Sequence, residues 1–484
     1  MSRPSRSRWA ALVGAAAALA MGVGLSIAAP AAAAAPTTIV SLTFDDGNAD
    51  QLPAANTLAA NGLRGTFFIN SGFLNAPGYL TDADVKSLVA AGHEIGGHTV
   101  SHPSLPAIST AEASRQVCLD RANLTKLGAT VTDFAYPFAD ESTAVERIVQ
   151  NCGYNSARGL GDLKSRFGCD DCDYAETTRP ANAYDTAALD EVESDWTLQD
   201  LQNGVLNASS TGGWVQYTFH HICDPGACAD PQVSTTLYNQ FVQWLGQRVK
   251  AAGSTTVVKT VAQVINKPAK AVVQPAYPAP AAAGVNAIKN PGLETVDATT
   301  AAPACYLKGG YGANTAAFST SSAAHGGAVA EQVTVTGYSD GDAKLLPSLD
   351  LGDCAPTVVP GRTYSLREWY RSTAVTQFAV YLRTSSGAWQ YWTSSPWFAA
   401  SATFANATWT TPAIPAGYNG ISFGLNIFAN GTLTTDDYAL YDSTGAPAAA
   451  LKAGTARTSK GVAPKRFPGQ ERRGAVQVTE GAHE

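Results

Sequence analysis

From Thr38 to Phe44 the chain reads TIVSLTF, an unbroken apolar and β-branched run, and residues 65–70 (GTFFIN) repeat that texture. Strands covered on both faces carry such continuous runs instead of strict alternation. A helical stretch ending at Gly62 separates the two. Thr81 with Asp84, and Ser109 with Glu112, have the spacing of helix starts, and Gly92 and Gly128 stand where those helices should close. Residues 134–136, 154–157, 214–219 and 256–259 complete the predicted strands. Strands alternating with helices imply a parallel sheet, open or closed into a barrel. In such folds chemistry collects at the C-terminal ends of the strands.

The pattern changes at Lys267. Residues 267–286 carry four prolines and no amphipathic period, and are expected to form a Pro/Ala-rich, semi-rigid linker. Residues 287–446 consist of short alternating runs such as FAVYLRT (378–384) and GISFGLNIF (420–428) with few helix signals, which predicts an all-β jelly-roll sandwich. Residues 447–484 turn polar and are expected to be a disordered tail. At the other end, Arg3, Arg6 and Arg8 precede the apolar run 9–29, with small residues at 32–35, so residues 1–34 read as a secretory leader. The α/β domain then spans residues 35–266 and, given the linker, is expected to fold and act without the sandwich.

Composition narrows the class further. A net charge of −7 argues against a nucleic-acid partner, and no second apolar segment is long enough to span a bilayer. The expectation is a secreted, extracellular, soluble monomer. Eight cysteines in an exported chain read as disulfides. Six lie in the first half and two in the second. Within each half the expected pairs are Cys118–Cys152, Cys169–Cys172, Cys223–Cys228 and Cys305–Cys354. A zinc site at Cys169 and Cys172 is the less favoured alternative.

Two features carry candidate chemistry. TFDDG places Asp45 and Asp46 at the end of the first strand, where an Asp-Gly turn and a catalytic carboxylate pair are both readings. His98 and His102 are four apart, which on a helical turn sets both on one face. Each signal is weak alone. His93, nearby, reads as structural, as does His221.

The set TFDDG, GHEIGGHTVSH, FAYPFAD, DW and TFHH, in that order, resembles the polysaccharide deacetylases, the NodB-homology group of carbohydrate esterases, over residues 38 to about 266. That resemblance implies a distorted (β/α) barrel and metal-dependent removal of acetyl groups from a polysaccharide. It makes Asp45 the general base and assigns Asp46, His98 and His102 to Zn2+ or another divalent transition metal. His220 becomes the general acid, tethered by Asp195, the Phe138 backbone the oxyanion donor, and Tyr136 and Trp196 substrate contacts. The arginine usual two residues before the proline of the third motif is Ala135 here. Arg158 and Arg179 are possible substitutes, each read by preference as a surface charge. The second domain resembles a carbohydrate-binding jelly roll, which implies a structural Ca2+ at Glu294 and Asp437. Trp369, Trp389, Tyr391, Trp392, Trp397 and Trp409 are the rings available to stack on sugar, with one or two expected to be exposed. Chitin or chitooligosaccharides are the preferred substrate, with acetylxylan and peptidoglycan as alternatives. A non-catalytic glycan-binding protein on the same fold is the rival from another class, and an adhesion or structural protein ranks last.

Overall fold

The computed structural model describes residues 37–298 and 301–448. The leader expected at 1–34 and nearly all of the tail lie outside the described residues. No helix among the described residues is long and apolar enough to cross a membrane.

The first half is built on a seven-stranded parallel sheet. Its strands are β1 (Thr38–Phe44), β2 (Thr66–Ile69), β3 (Glu94–Gly97), β4 (Asp133–Ala135), β5 (Ser156–Arg158), β6 (Gly213–Phe219) and, after a two-residue ladder of β7 (His221–Ile222) with β8 (Gln232–Val233), β9 (Thr256–Val258). The order is β5-β4-β3-β2-β1-β6, with β9 also on β1. Every residue of β1 is buried, as its apolar run predicts. Phe44 stacks on Phe67 at 4.5 Å and on Phe219 at 5.5 Å, so three adjacent strands share one aromatic layer.

The sheet does not close strand to strand. Instead the irregular segment 183–192 lies between β5 and β6. Thr186 bridges to Arg158 and Glu191 bridges to Thr218, while the Leu189 amide donates to the Gln216 carbonyl at 3.1 Å. The barrel is therefore distorted at one place, and that place lies beside the candidate chemistry.

Helices α1 (Gln51–Ala60), α2 (Asp82–Ala90), α3 (Thr110–Lys126), α4 (Thr143–Asn151), α5 (Leu198–Thr211), α6 (Thr235–Lys250) and α7 (Val261–Ile265) connect the strands. Thr81 and Asp84 form the expected capping box of α2, and the Ser109 hydroxyl accepts from the Glu112 amide at 3.1 Å to start α3. Each such cap stabilises its helix by about 1 kcal/mol. Gly92 and Gly128 follow the two helices in left-handed conformations.

The second half is a sandwich of two antiparallel sheets. The strands are β10 (Tyr306–Tyr311), β11 (Thr315–Ser321), β12 (Ala330–Thr336), β13 (Asp342–Pro347), β14 (Tyr364–Ser372), β15 (Thr376–Thr384), β16 (Trp389–Ser394), β17 (Ser401–Thr410), β18 (Tyr418–Ile427) and β19 (Gly431–Asp442). One sheet has the order β10-β13-β18-β15-β16 and the other β11-β12-β19-β14-β17. Their inner faces share a core that includes Leu366, Phe378, Phe423 and Tyr438. The structure joins Cys118 to Cys152, Cys169 to Cys172, Cys223 to Cys228 and Cys305 to Cys354, which leaves no thiol pair for zinc.

The linker has no regular secondary structure, yet it is pinned. Arg121 donates to the carbonyls of Lys270 at 2.8 Å and Ala271 at 2.9 Å, and Asn155 donates to those of Lys267 and Pro268. Lys270 returns a bond to the Tyr154 carbonyl at 2.7 Å. A proline-rich spacer whose carbonyls are held this way is a strap along the barrel, stiffer than its composition suggests.

Candidate active site

Because the strands are parallel, β1, β3, β4, β5 and β6 all end at the same edge of the barrel, and the motif residues follow those ends. Asp46 and Gly47 are consecutive left-handed residues, each with φ near 76°. A Cβ on Gly47 would come within 3.0 Å of Ile69, so glycine is needed there for space as well as conformation. This turn sends the two adjacent carboxylates in different directions.

Asp46 faces the histidines. Its Oδ1 lies 3.4 Å from Nε2 of His98 and 3.4 Å from Nε2 of His102, and the two imidazole nitrogens are 3.1 Å apart. Tetrahedral zinc with ligands at about 2.0–2.1 Å needs donor atoms about 3.3–3.4 Å apart, so the spacing fits such an ion. The histidines do not share a helical turn, contrary to the simplest reading of their spacing. Residues 98–102 form a loop in which Thr99 and His102 are left-handed, and the Thr99 hydroxyl accepts from the His102 amide at 2.9 Å. Nδ1 of His98 lies 2.8 Å from the Ala135 carbonyl, which leaves Nε2 free for a ligand bond.

Electrostatics suit the same role. Burial alone would raise the Asp46 carboxyl, but the His98 hydrogen bond and the charges of His220 and His102 hold it well below the usual carboxylate range. Burial, helped by the neighbouring His98, lowers His102 to about 4, so its ring is neutral near pH 7. Asp120, from α3, accepts from the amides of His98 at 3.0 Å and Ser71 at 2.9 Å, and its own burial raises it to about 7. Nothing in the sequence pattern distinguished Asp120 from other helix acids.

Asp45 turns the other way, into the barrel. Its Oδ2 accepts a hydrogen bond from Nη2 of Arg158, which is only 1% exposed, while its buried Oδ1 has no hydrogen-bond partner among the described residues. The preference for a surface Arg158 is thus corrected. β4 and β5 pair in register, and Arg158 is the direct partner of Ala135, the position that lacks the motif arginine. The guanidinium has moved one strand across. It rests over the Phe68 ring at 5.3 Å and donates to the Gly159 carbonyl at 3.0 Å.

His220 leaves the end of β6 with its carbonyl held by the Gln51 side chain at 2.9 Å. The same amide group donates to the Asp45 carbonyl, so one side chain ties the base strand to the acid strand. The expected tether Asp195 is exposed, its carbonyl accepts from Arg166 at 2.9 Å, and no ion pair joins its side chain to His220 among the described residues. Glu191 stands in its place: Oε2 is 3.4 Å from Nδ1 of His220, an ion-pair distance whose angle falls short of a hydrogen bond. Burial raises the Glu191 carboxyl, and the facing imidazole opposes that rise. In the sequence Glu191 stands four residues before Asp195 of the Asp-Trp pair.

Other assigned residues differ as well. Trp196 is largely buried and stacks on Phe167 at 4.7 Å, the two rings lining a pocket together with Arg166 and Asn203, while the Tyr136 hydroxyl donates to the Tyr184 carbonyl at 2.8 Å. Phe138 takes a left-handed φ of 58°, is 56% exposed and packs edge-on against His102 at 4.5 Å. Its side chain is an exposed apolar surface beside the histidine pair. His221 pairs with Asp50 at 2.6 Å and stays outside the cluster, and buried His93 accepts from the Gly65 amide at 3.1 Å. A second grouping, Asp50 with His221 and Cys228, loses its sulfur ligand to the disulfide.

In the sandwich, Glu294 accepts from the amides of Ala328 and Val329, and Asp437 pairs with His325 at 2.6 Å. These contacts occupy Oε1 of Glu294 and Oδ2 of Asp437, and the two acids do not fall in a three-residue group able to share an ion among the described residues. Of the six sugar-stacking candidates only Tyr391 is an exposed ring, at 40%. Trp369 stacks on His325 at 3.7 Å.

The fold thus brings a candidate metal triad, the buried Asp45 carboxylate and His220 to one edge of a parallel sheet. Residues 32–157 match the family model described as polysaccharide deacetylase. Among similar proteins are a chitin deacetylase of Arthroderma benhamiae, 35% identical over 96 residues, covering 19% of this chain and 24% of that protein, and one of Colletotrichum lindemuthianum, 33% identical over 81 residues, covering 16% and 33%. The chain therefore spans about a quarter to a third of the length of these relatives. Among solved structures, a family 4 carbohydrate esterase from Streptomyces lividans in complex with acetate aligns at 18% identity and a TM-score of 0.31, covering 46% of this chain and 91% of that one.

Proposed function

We propose that this protein is a secreted, metal-dependent deacetylase that removes acetyl groups from an N-acetylglucosamine polysaccharide, chitin or its oligosaccharides, as Zn2+ enzyme. The observation that carries the reading is the pairing of two features: three donor atoms spaced for one ion, and next to them a buried carboxylate with one oxygen fixed and one unpartnered.

Asp46, His98 and His102 would hold the ion, which when bound supplies Lewis acidity and lowers the pKa of a coordinated water. Asp45 accepts the proton of the attacking water at Oδ1, while Arg158 keeps Oδ2 aimed and stabilises the charge. The Phe138 amide donates to the oxygen that gains charge, a contact worth about 3–4 kcal/mol where such donors have been removed. His220 gives its proton to the leaving nitrogen, and Glu191 opposes the charge on the ring's far side. Export is supported by the leader-like sequence 1–34 and by four disulfides.

Similarity to chitin deacetylases favours N-acetylglucosamine polymers as substrate. Acetate release from chitooligosaccharides, acetylxylan and peptidoglycan tests the assignment. Acetate from the first and little from the others is expected. Release only from acetylxylan or peptidoglycan would move the substrate, and none from any would leave a glycan-binding protein.

A further inference from the structure

Val100 lies between the two histidines of the proposed metal triad, and it is wholly buried by parts of the chain far apart in sequence. On one side is the barrel: the Gly72 amide donates to the Val100 carbonyl at 2.9 Å, and a Cβ on Gly72 would meet the Val100 side chain at 2.8 Å. On the other side is the turn between β15 and β16 of the sandwich. A Cβ on Gly387 would fall 2.9 Å from Val100, 2.9 Å from Leu351 and 3.2 Å from Leu119, so this turn presses backbone directly on the loop with no room for a methyl group. Val100, Leu119 and Leu351 form one buried cluster, with Tyr277 of the linker packed against it.

Polar contacts fix the same junction. Asn123 donates to the Ser386 carbonyl in that turn at 2.7 Å and to the Ser71 hydroxyl at 3.2 Å. The Leu351 amide donates to Glu112 at 2.7 Å, and Arg115 pairs with Asp353 at 2.7 Å. Glu112 in turn accepts from Gln116, whose side chain accepts from the Ser101 amide at 3.1 Å and donates to the Ser101 hydroxyl at 2.9 Å. A chain of hydrogen bonds therefore runs from the sandwich to the residue before His102.

We propose that the β15–β16 turn and Leu351 are positioning elements of the metal centre: the sandwich holds the 98–102 loop in the shape that brings its two imidazoles onto one ion. This rests on reading Asp46, His98 and His102 as metal ligands. It departs from the expectation of an N-terminal half that works alone, because removing the sandwich would expose Val100 and Leu119 and release the loop on one side. A loop with two left-handed residues has little regular structure of its own to define it, so packing against it sets its geometry.

The test uses full-length protein, stripped of metal and titrated with zinc against a competing chelator, with hydrogen exchange of the 98–102 amides in the metal-free state as a second readout. Leu351→Ala should weaken zinc binding roughly tenfold, the lower end for losing support behind a ligand, and speed exchange across 98–102. On a soluble oligosaccharide it should lower kcat with KM unchanged. Leu351→Met, which refills the volume, should restore all three. Leu366→Ala, an equal truncation in the sandwich core, should leave zinc affinity unchanged at temperatures where it is folded. Asn123→Ala, which cuts the hydrogen bond to the turn, should reproduce the Leu351→Ala effects if that variant does not fold. Wild-type zinc affinity and exchange in folded Leu351→Ala or Asn123→Ala would overturn the proposal, as would equal weakening in Leu366→Ala. If the wild type takes up no zinc, the ligand assignment falls and this proposal with it. If zinc binds and the loop responds as stated but no acetylated glycan is hydrolysed, the proposal stands and the deacetylase reading fails.

Discussion

Replacing Arg158 probes the feature in which this site departs most from the deacetylase motifs it resembles. In Arg158→Ala the Asp45 carboxylate, itself buried, keeps an unpartnered Oδ1 and loses the only side-chain donor to Oδ2 among the described residues. Breaking a buried ion pair from one side leaves an uncompensated charge and costs about 3–5 kcal/mol. For a domain of this size that lowers Tm by roughly 6–20 °C, at about 2–4 °C per kcal/mol. Part of this penalty is specific to the charge on Asp45. In the Asp45→Asn background the same arginine removal strands no carboxylate, so the two changes should be non-additive by about 2–3 kcal/mol. The assay is chemical denaturation of wild type, both single variants and the double variant. Arg158→Ala should also lose most kcat on a soluble substrate while keeping its metal, because no ligand is touched. Placing the arginine back on the neighbouring strand, as Ala135→Arg with Arg158→Ala, should recover part of both losses. Additivity within about 0.5 kcal/mol, or unchanged kcat in folded Arg158→Ala, would refute the claim that Arg158 holds the base.

Asp46→Ala should lose zinc affinity, whereas Asp45→Asn should keep the ion and lose most turnover; metal analysis of the purified proteins that gave the reverse would exchange the two roles. His220→Ala should slow an N-acetyl sugar by roughly 10²–10⁴-fold but an activated aryl acetate much less, because only the amide nitrogen needs a proton to leave. Glu191→Gln should lower kcat on the same sugar by part of that factor, with Asp195→Asn changing little; equal effects would return the tether to Asp195. His93, buried and lowered to about 4 against an ordinary 6.5, is held neutral in the fold, so its contribution is present above pH 6.5 and is lost as pH falls through 4. Denaturation midpoints measured from pH 7 to 4 should therefore fall, and His93→Gln should remove on the order of 3 kcal/mol of that slope.

Much of the site was legible in sequence because its residues follow directly after strands. A β-run ending in TFDDG puts its acids at a strand end in any parallel sheet, and the same holds for His98 and His220. What could not be read was lateral. That Arg158 stands beside Ala135 depends on the β4–β5 register, which no local pattern encodes. Glu191 reaches His220 only because an irregular segment fills the barrel's open seam, and irregular backbone leaves no hydrophobic period to recognise. Motif positions suggest substrate contacts at Trp196 and Tyr136, but position alone does not foretell that Trp196 stacks on Phe167 or that the Tyr136 hydroxyl donates to the Tyr184 carbonyl. The linker shows the limit of composition. Its prolines foretold an extended chain, and nothing in them foretold that Arg121 and Asn155 would bind its carbonyls.

In the proposed function, one ion at Asp46, His98 and His102, with Asp45 as base, removes acetyl groups from a glycan. Its most direct test is quantification of acetate released from a soluble N-acetylglucosamine oligomer by metal-stripped protein before and after zinc is restored. Negligible release from the stripped protein is expected, with recovery at one zinc per chain that is absent in Asp45→Asn despite equal zinc content. Release that persists without metal, or that survives Asp45→Asn, would contradict it.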